Sequence, residues 1–420
     1  MLQNNIKRKE YLKKLEDYKD SDFVKVFTGI RRSGKTSLLH SWADELEKKG
    51  INKENIIFIS FESPKYNLID NNIDLDKIIY EKTTNVEGKT YLFFDEIQQV
   101  NQWEKSINGF RVTLDCDIYI SGSNSKLLSG ELATLLAGRY INIQVYPFSF
   151  KELLQYKEEI EALKLTKENI TSLFDEYYIN YGGMPSILSL KDNGSKITAL
   201  TDIYDSILLN DIISRFSIKN IDLLKRYIMF MINSIGQTYS SEKIKNYLKS
   251  NDIYTTQNTL LKYNEYLKQT FFISKCRRFD LKGKKLMKIK EKYYLMDHGF
   301  HHAIVEKNNL WIPRIIENIV YIELLRRGYK VSVGRVGEEN NGNEKKELEV
   351  DFVCEKYGKY IYIQVSYTLS SENTAKREFK PFFKIRDKYD TYIITTDQHD
   401  FSNNGVKHLN IIDFLLGDEI

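Results

Sequence analysis

The sequence predicts an α/β protein whose N-terminal part is a parallel β-sheet covered by helices on both faces. Residues 29–36 have the sequence G-I-R-R-S-G-K-T and fit the phosphate-loop pattern G-x-x-x-x-G-K-[ST] at each fixed position. Short β-branched and aromatic runs alternate with helical patterns through the first 147 residues. One of these runs, Y-L-F-F-D-E at 91–96, ends in two acids. The three observations together predict a P-loop NTPase core over residues 1–147.

Five runs in this part are predicted strands, because each is short, apolar and rich in β-branched or aromatic side chains. They cover residues 23–28, 56–61, 90–94, 117–121 and 141–145. An amphipathic lead-in helix is expected within residues 1–22, and a second helix follows residue 36. The phosphate loop is therefore expected between a strand and a helix, where its backbone N–H groups and the helix N-terminus attract polyphosphate.

The phosphate loop supplies most of the predicted nucleotide-binding residues. Lys35 is expected to reach the β- and γ-phosphates of ATP and to act in catalysis, and Thr36 to offer its hydroxyl to Mg²⁺. The other predicted contacts come from the same segment: Gly29, Arg31, Arg32, Ser33, Gly34 and Ser37. Arg31 and Arg32 are unusual in such a loop and could instead pack against acidic neighbours.

Two acids at the end of the 90–94 strand complete the predicted ATPase site. Asp95 is expected to hold the Mg²⁺ shell through water, and Glu96 to polarise the attacking water as the catalytic base. An apolar run that ends in two acids is weak evidence alone, but it gains weight behind a complete phosphate loop. The sequence therefore predicts Mg²⁺-dependent hydrolysis of ATP to ADP and phosphate.

Three further polar residues are candidates for the same site. Ser123 and Asn124 follow the 117–121 strand in S-G-S-N and could sense the γ-phosphate, or form an ordinary Ser/Gly turn. Arg139 precedes the 141–145 strand and could neutralise transition-state charge, from this chain or from a neighbouring subunit. A structural salt bridge explains Arg139 equally well.

The middle of the chain changes from alternation to helices. Residues 148–221 are predicted to be a helical segment, interrupted by the turn signal Y-G-G-M-P at 181–185. Residues 222–300 show three helical patterns followed by two β-like runs joined by a basic turn. That order is typical of a winged helix.

Positive charge is concentrated in this winged-helix candidate. Residues 240–297 hold 14 Lys and Arg against six Asp and Glu, a surplus of +8 in a chain whose net charge is +4. This favours double-stranded DNA as a partner, with Thr255, Thr256, Gln257 and Lys262 placed to approach a groove. Contact with a protein is the alternative, because winged helices also serve that purpose.

Residues 301–420 are predicted to form a small α/β domain, with a helix at 313–326 and then four strands. The strands are expected at 329–334, 349–354, 360–366 and 391–396.

Acids in this domain are spaced as in the two-carboxylate metal platform of many nucleases. The candidates are Glu317, Glu349 and Asp351. The pattern fails at Gln364 and Ser366, where a second carboxylate and a lysine are expected, and an amide is a poor Mg²⁺ ligand. The domain is therefore expected to be nuclease-like and inactive.

Composition narrows the class of protein. No stretch of 18 apolar residues and no signal-peptide pattern is present, so no membrane partner is expected. The three cysteines lie far apart and the six histidines form no metal-spaced cluster. This favours a cytoplasmic protein without a disulfide framework. The oligomeric state and any protein partner stay open.

Several short motifs together resemble the prokaryotic AAA-type ATPases with an uncharacterised C-terminal region. They are G-I-R-R-S-G-K-T, L-F-F-D-E-I-Q, I-S-G-S-N-S, L-A-G-R, Y-P-F-S-F-K-E, Y-G-G-M-P and L-N-D-I-I-S-R. The resemblance covers nearly the whole chain. It implies an ATPase core, a helical and winged-helix middle and a restriction-endonuclease-like domain, with ATP binding and hydrolysis. The Q-V-S run at 364–366 resembles the departure of that group from the nuclease pattern.

The resemblance brings no substrate, and three functions stay open. The first is an ATP-driven molecular switch that contacts DNA. The second is an ATP-regulated nuclease, and the third is a nucleotide-binding scaffold for protein interactions.

Overall fold

The computed structural model describes residues 6–124, 127, 136, 138–305, 311–341 and 344–420. The described residues form two compact units. The first unit runs to Pro147 and includes Gln155–Ala162 and Gln269–Phe271. The second unit holds Phe148–Leu154, Leu163–Lys268 and Phe272–Ile420. Within the described residues, no helix combines the length and the apolar character that a membrane span requires.

The first unit contains a parallel five-stranded sheet, which confirms the predicted fold class. Its strands are β1 (Val24–Thr28), β2 (Ile56–Ser60), β3 (Thr90–Asp95), β4 (Cys116–Gly122) and β5 (Tyr140–Gln144). Its helices are α1 (Lys9–Tyr18), α2 (Lys35–Lys48), α3 (Asn72–Thr83) and α4 (Trp103–Thr113). The strand order is β2-β3-β4-β1-β5, and each pair is parallel. Every predicted strand is present, with ends within one residue of the prediction.

These strands form because both faces of the sheet are buried. Every residue of β1 and of β3 is buried, so the strands appear in the sequence as continuous apolar runs. On one face, Phe93 stacks between Phe58 and Tyr119, with ring centroids 5.7 and 4.7 Å away. The opposite face packs Leu92, Phe94 and their neighbours into a second apolar cluster.

The segment after β5 is mostly helical from Phe150 to Ser214. It consists of α5 (Phe150–Glu159), α6 (Lys167–Ser172), a π-helical stretch (Leu173–Tyr178), α7 (Ile179–Tyr181), α8 (Asn193–Ser206) and a second π-helical stretch (Ile207–Ser214). Three further helices follow: α9 (Ile221–Asn233), α10 (Ser241–Ser250) and α11 (Gln257–Gln269).

The second unit contains a mixed seven-stranded sheet in the order β12-β11-β10-β9-β8-β6-β7. Its strands are β6 (Ile273–Asp280), β7 (Lys285–Leu295), β8 (Lys330–Asn341), β9 (Glu344–Lys356), β10 (Lys359–Val365), β11 (Asp390–Thr395) and β12 (Val406–Asn410). The remaining helices are α12 (Gly299–Ile304), α13 (Ile312–Arg326), α14 (Glu372–Phe379) and α15 (Ile411–Leu416).

The hairpin β6–β7, which the sequence assigns to a winged helix, belongs to this sheet. β6 pairs antiparallel with β7 and parallel with β8. Phe279 of β6 packs against the core that includes Val350 and Tyr362. The predicted boundary between 222–300 and 301–420 therefore falls inside one sheet, because β6 pairs with β8 and Phe279 packs against the core of the strands that follow.

Candidate functional site

The phosphate loop connects β1 to α2, and two of its glycines shape it. A Cβ at Gly29, where φ is +153°, would lie 2.2 Å from the carbonyl oxygen of Val145. Gly34 precedes α2 with φ +95°, a conformation that glycine adopts without a steric penalty. The loop thus lies at the carboxyl edge of the parallel sheet, where open α/β sheets bind ligands.

Lys35 lies in the first turn of α2 and is 5% exposed. Its ammonium donates to the carbonyl oxygens of Gly29 at 3.1 Å and of Ile30 at 3.2 Å. The positive charge predicted to meet phosphate is therefore held over the backbone of the loop itself.

Thr36 and Asp95, the two predicted magnesium ligands, are in direct contact. The Thr36 hydroxyl donates to the Asp95 carboxylate, with 2.9 Å to Oδ2 and 3.1 Å to Oδ1. Ser60 at the end of β2 donates to the same carboxylate at 3.3 Å, and Ser121 of β4 donates to its Oδ1. Asp95 is buried, and hydroxyl groups from three segments fix its orientation.

Glu96 follows Asp95 in the left-handed conformation, with φ +55° and ψ 43°. Its backbone N–H donates to Ser121 Oγ at 3.2 Å. Its carboxylate accepts from Ser123 Oγ at 3.4 Å and from the amide of Gln98. Ser121 therefore orients Asp95 and the backbone of Glu96 together.

Ser123 and Asn124 directly follow β4, which ends at Gly122. β4 lies between β1 and β3 in the sheet, so its carboxyl end faces both motifs. Both residues are buried. The Ser123 hydroxyl donates to the Glu96 carboxylate at 3.4 Å, a contact that neither interpretation of the sequence included.

Arg31 pairs with Glu62, a residue that no sequence pattern indicated. The guanidinium lies 3.7 Å from the Glu62 carboxylate. Burial and the nearby Glu96 carboxylate raise the pKa of Glu62, and Arg31 opposes that shift. Arg32 adopts φ +63° in the same loop. The expectation that these arginines could pack against acids therefore fits Arg31.

Arg8, a second residue that the sequence analysis did not single out, connects the start of the chain to the loop. Its guanidinium donates to the carbonyl oxygens of Tyr146 at 2.9 Å and of Ser33 at 3.3 Å. It lies 4.4 Å from the centre of the Tyr11 ring and is buried. No local pattern could reveal this role, because the partners lie 25 and 138 residues away.

Arg139 lies at the opposite edge of the sheet from the phosphate loop. Its carbonyl oxygen accepts from the N–H of Val24, the first residue of β1, whereas the loop follows the last residue of that strand. Its guanidinium lies 3.8 Å from the carboxylate of Asp22 and is half exposed. Within this chain Arg139 does not reach the loop, and its contact is the alternative salt bridge.

The arrangement of the first unit fits magnesium and a polyphosphate. Hydroxyl and carboxylate oxygens, as on Thr36 and Asp95, are the hard ligands that Mg²⁺ binds. The Ser33 hydroxyl is buried inside the loop and has no hydrogen-bond partner among the described residues. The N-terminus of α2 and the Lys35 ammonium add positive charge to the same place. Ser37 lies in the first turn of α2.

The acids predicted as a nuclease platform do converge, but on a lysine. Lys292 of β7 lies between Glu317 of α13 and the β9 residues Glu349 and Asp351. Gln364, at the position of the missing carboxylate, accepts from the backbone N–H of Asp351 and donates to Glu378. Among the described residues, no group of three His, Cys, Asp or Glu side chains is arranged to hold a metal ion.

The basic segment 240–297 exposes less positive charge than its composition suggests. Lys268 pairs with Glu265, Lys275 with Glu291, and the buried Arg278 with Glu347. Exposed cations of the hairpin include Arg277, Lys282, Lys284 and Lys285.

The four residues predicted to approach a DNA groove differ in their exposure. The Thr256 hydroxyl accepts from the N–H of Thr259 at 3.1 Å and so caps the start of α11. Lys262 is exposed on the same helix. Thr255 and Gln257 are partly buried beside the cap.

Two family profiles match the chain. The profile of the AAA domain matches residues 21–154 and thus contains the phosphate loop, both acids and β4. The profile of a domain of unknown function (DUF8612) matches residues 172–310.

Two relatives match over most of their lengths. An uncharacterized protein of Haemophilus influenzae is 40% identical over 413 residues, which is 98% of this chain and 98% of that protein. The uncharacterized protein MJ1544 of Methanocaldococcus jannaschii is 33% identical over 375 residues, 86% of this chain and 78% of that protein.

Among solved structures, the Aeropyrum pernix ORC1 protein in complex with DNA aligns with 72% of this chain and 93% of its own, at 11% identity and a TM-score of 0.34. At this TM-score the likeness assigns no function.

Proposed function

The chain belongs to the same family as these Haemophilus influenzae and Methanocaldococcus jannaschii proteins and carries an AAA domain, and from this premise we propose that it is a Mg²⁺-dependent ATPase. It binds ATP, hydrolyses it to ADP and phosphate, and works as a molecular switch in the cytoplasm. The finer part of the proposal is that double-stranded DNA is a partner.

Each residue of the site has a role in this proposal. Lys35 donates to the β- and γ-phosphates, and Thr36 and Asp95 hold Mg²⁺. Mg²⁺, when bound, supplies positive charge against the charge that develops on the phosphate oxygens. Glu96 accepts a proton from the attacking water and orients it. Asn124 senses the γ-phosphate.

One observation carries the ATPase proposal: the hydroxyl of Thr36 donates to the carboxylate of Asp95 at 2.9 Å. The two residues come from separate motifs 59 positions apart, and only the folded sheet brings their oxygens together. Glu96 is the next residue and its carboxylate is held by Ser123. Hard oxygen ligands beside an oriented carboxylate are what metal-assisted phosphoryl transfer to water requires.

The first test is ATP hydrolysis by the purified protein with Mg²⁺, with and without double-stranded DNA. Lys35→Ala is expected to lower turnover about 100-fold or more, because it removes the cation aimed at the phosphates. Lys82→Ala, on the exposed side of α3, is the matched control and should retain turnover. Wild-type turnover in Lys35→Ala would overturn the assignment.

The DNA arm of the experiment tests the partner. The exposed hairpin cations at 282, 284 and 285 support it, since clustered surface lysines track phosphates. DNA should stimulate turnover in wild type but less in the triple variant Lys282→Ala, Lys284→Ala and Lys285→Ala. A control triple variant on the exposed side of α1 replaces Lys9, Lys13 and Lys14 with Ala and should respond like wild type.

Two further outcomes of this experiment would favour a protein partner or a scaffold function. Lys35-dependent turnover that DNA does not change would keep the ATPase and favour a protein partner. Nucleotide binding with no turnover under either condition would favour the scaffold function instead.

A further inference from the structure

A buried lysine lies at the centre of three carboxylates in the second unit. The Lys292 ammonium of β7 is 3.2 Å from Glu349 Oε1, 3.3 Å from Glu317 Oε1 and 3.8 Å from Asp351 Oδ1. Lys292 is 5% exposed. The lysine comes from the hairpin, whereas the acids come from α13 and β9, so the cluster joins three elements that are distant in sequence.

Each acid is fixed by contacts outside the cluster. Tyr294 donates its hydroxyl to Glu317 Oε1 at 2.6 Å. Asp351 Oδ2 accepts from the N–H of Val365 at 2.9 Å, which directs its other oxygen toward Lys292. The buried guanidinium of Arg278 lies 3.1 Å from Glu349 Oε2, leaving Oε1 to Lys292. The carboxylate oxygens are thus held around a single point.

The Lys292 ammonium offsets negative charge at that point. Burial lowers the pKa of Lys292, but the carboxylates of Glu317, Asp351 and Glu349 outweigh it and raise the pKa above its ordinary value. Three carboxylates that converge without a cation would repel one another in this largely buried site. Oxygen ligands in this number are also the kind that hard divalent cations bind.

Gln364 and Ser366 do not face this point. The Gln364 side chain accepts from the N–H of Asp351 at 3.2 Å and donates to Glu378 at 2.7 Å. The Ser366 hydroxyl donates to the carbonyl oxygen of Thr368 at 3.1 Å. The only cation that the described contacts bring to within 4 Å of all three acids is Lys292.

We propose that the ammonium of Lys292 takes the place of a divalent metal ion among Glu317, Glu349 and Asp351. The internal cation neutralises the site and fastens the hairpin to α13 and β9. Once the ammonium is removed, the same three carboxylates can move closer together and bind a hard divalent cation such as Mn²⁺. This inference is independent of the proposed ATPase activity, because every residue in it belongs to the second unit.

The test is thermal unfolding of the full chain in EDTA and in millimolar MnCl₂. Unfolding is monitored with a signal that reports on the second unit. Lys292→Ala and the bulkier Lys292→Gln are both expected to melt lower than wild type in EDTA. In Mn²⁺ they should regain stability, with a rise in melting temperature of about 5 °C. Wild type should show no Mn²⁺-dependent rise, because its site is already filled.

Two controls separate this site from other metal binding. Lys290→Ala removes an exposed lysine of the same strand that pairs with Glu347, and it should show no rise with Mn²⁺. Adding Asp351→Asn to either Lys292 variant should abolish the rise. The proposal is overturned if neither Lys292 variant responds to Mn²⁺, or if wild type responds in a way that Asp351→Asn removes.

Discussion

Glu96 occupies a strained backbone position that its neighbours hold in place. A non-glycine residue at φ +55° costs about 1–3 kcal/mol, and such strain persists where surrounding contacts enforce it. Here the N–H of Glu96 donates to Ser121 and its carboxylate accepts from Ser123. The left-handed turn at Glu96 thus lets its backbone contact Ser121, which also contacts Asp95, while its carboxylate contacts Ser123.

Glu96→Gln should separate nucleotide binding from hydrolysis. The amide keeps the size of the side chain and can still accept from Ser123, but it cannot take a proton. ATP affinity, measured with a fluorescent analogue, should stay within about threefold of wild type, while turnover falls about 100-fold or more. Glu62→Gln is the matched comparison, because Glu62 is the neighbouring acid whose pKa is raised by burial and by Glu96. If Glu62→Gln were inactive and Glu96→Gln active, Glu62 and not Glu96 would be the catalytic base.

The residues of this site differ in how far sequence could predict them. Lys35 and Asp95 belong to patterns whose spacing follows from the chemistry of phosphate and Mg²⁺. Ser121, Glu62 and Arg8 belong to none, because each acts on a partner that only the folded sheet brings close. For Arg139, the sequence correctly indicates a position before a strand. It does not reveal at which edge of the sheet that strand begins.

Strands β1 and β4 are joined across the sheet by a buried ion pair. The ammonium of Lys25 contacts the carboxylate of Asp117, and both side chains are at most 1% exposed. Burial lowers the pKa of Lys25, and Asp117 counteracts that shift. The Asp117 carboxylate also accepts from the hydroxyl of Tyr119 at 2.7 Å and from the N–H of Asp20 at 2.9 Å. The pair is therefore part of a satisfied buried network.

Breaking this pair from one side should destabilise the first unit strongly. Lys25→Met leaves a buried carboxylate without its cation, and a loss of about 3–5 kcal/mol in the free energy of unfolding is expected. The double variant Lys25→Met with Asp117→Asn should lose less than the sum of the single losses, because no lone charge remains. Urea unfolding followed by circular dichroism measures both. The control Lys89→Met removes a partly exposed lysine near Asp115 and should cost less than about 1 kcal/mol. A cost that small for Lys25→Met would contradict the prediction.

The hairpin β6–β7 shows that local sequence patterns predict strands but not the sheet in which they pair. Both strands and the basic turn could be predicted from their residues. The sheet to which they belong could not be predicted, because β6 pairs with β8, and this pairing joins Arg277 to Ser332 across more than fifty positions. Buried Arg278 and Lys292 appear in the sequence as two more surface cations, although their side chains neutralise acids of the same unit.

Over the whole molecule, the α/β class and the five strands of the first sheet followed from the sequence, because parallel strands buried on both faces leave continuous apolar runs. The division of the second half of the chain into domains could not be predicted from the sequence. β7 is predicted with the winged-helix candidate and β8 with the nuclease-like domain, yet both belong to one sheet. β12 was not predicted, since its burial is mostly partial and its apolar pattern is weak.

A buried histidine gives the second unit a dependence on pH. His298 is buried, its Nε2 lies 2.6 Å from the carbonyl oxygen of Tyr178, and its ring meets that of Tyr178 edge to face. Burial lowers the pKa of His298 to about 4, with the carbonyl contact opposing and His301 reinforcing the shift. The unfolded chain has a histidine pKa of about 6.5. Between these values the unfolded state binds a proton that the folded state does not, so stability falls as pH falls from about 6.5 to about 4.

The expected loss from His298 between pH 7 and pH 5 is about 2 kcal/mol in the free energy of unfolding. Asp297, whose pKa is raised by burial to about 6, acts in the opposite direction over part of this window, so wild type alone does not isolate the histidine. His298→Gln retains a donor for the Tyr178 carbonyl but does not titrate. Urea unfolding at both pH values should show a drop smaller by about 2 kcal/mol in this variant than in wild type. His399→Gln, at an exposed position, should behave like wild type. An equal drop in wild type and His298→Gln would mean that His298 is protonated in the folded protein as readily as in the unfolded chain.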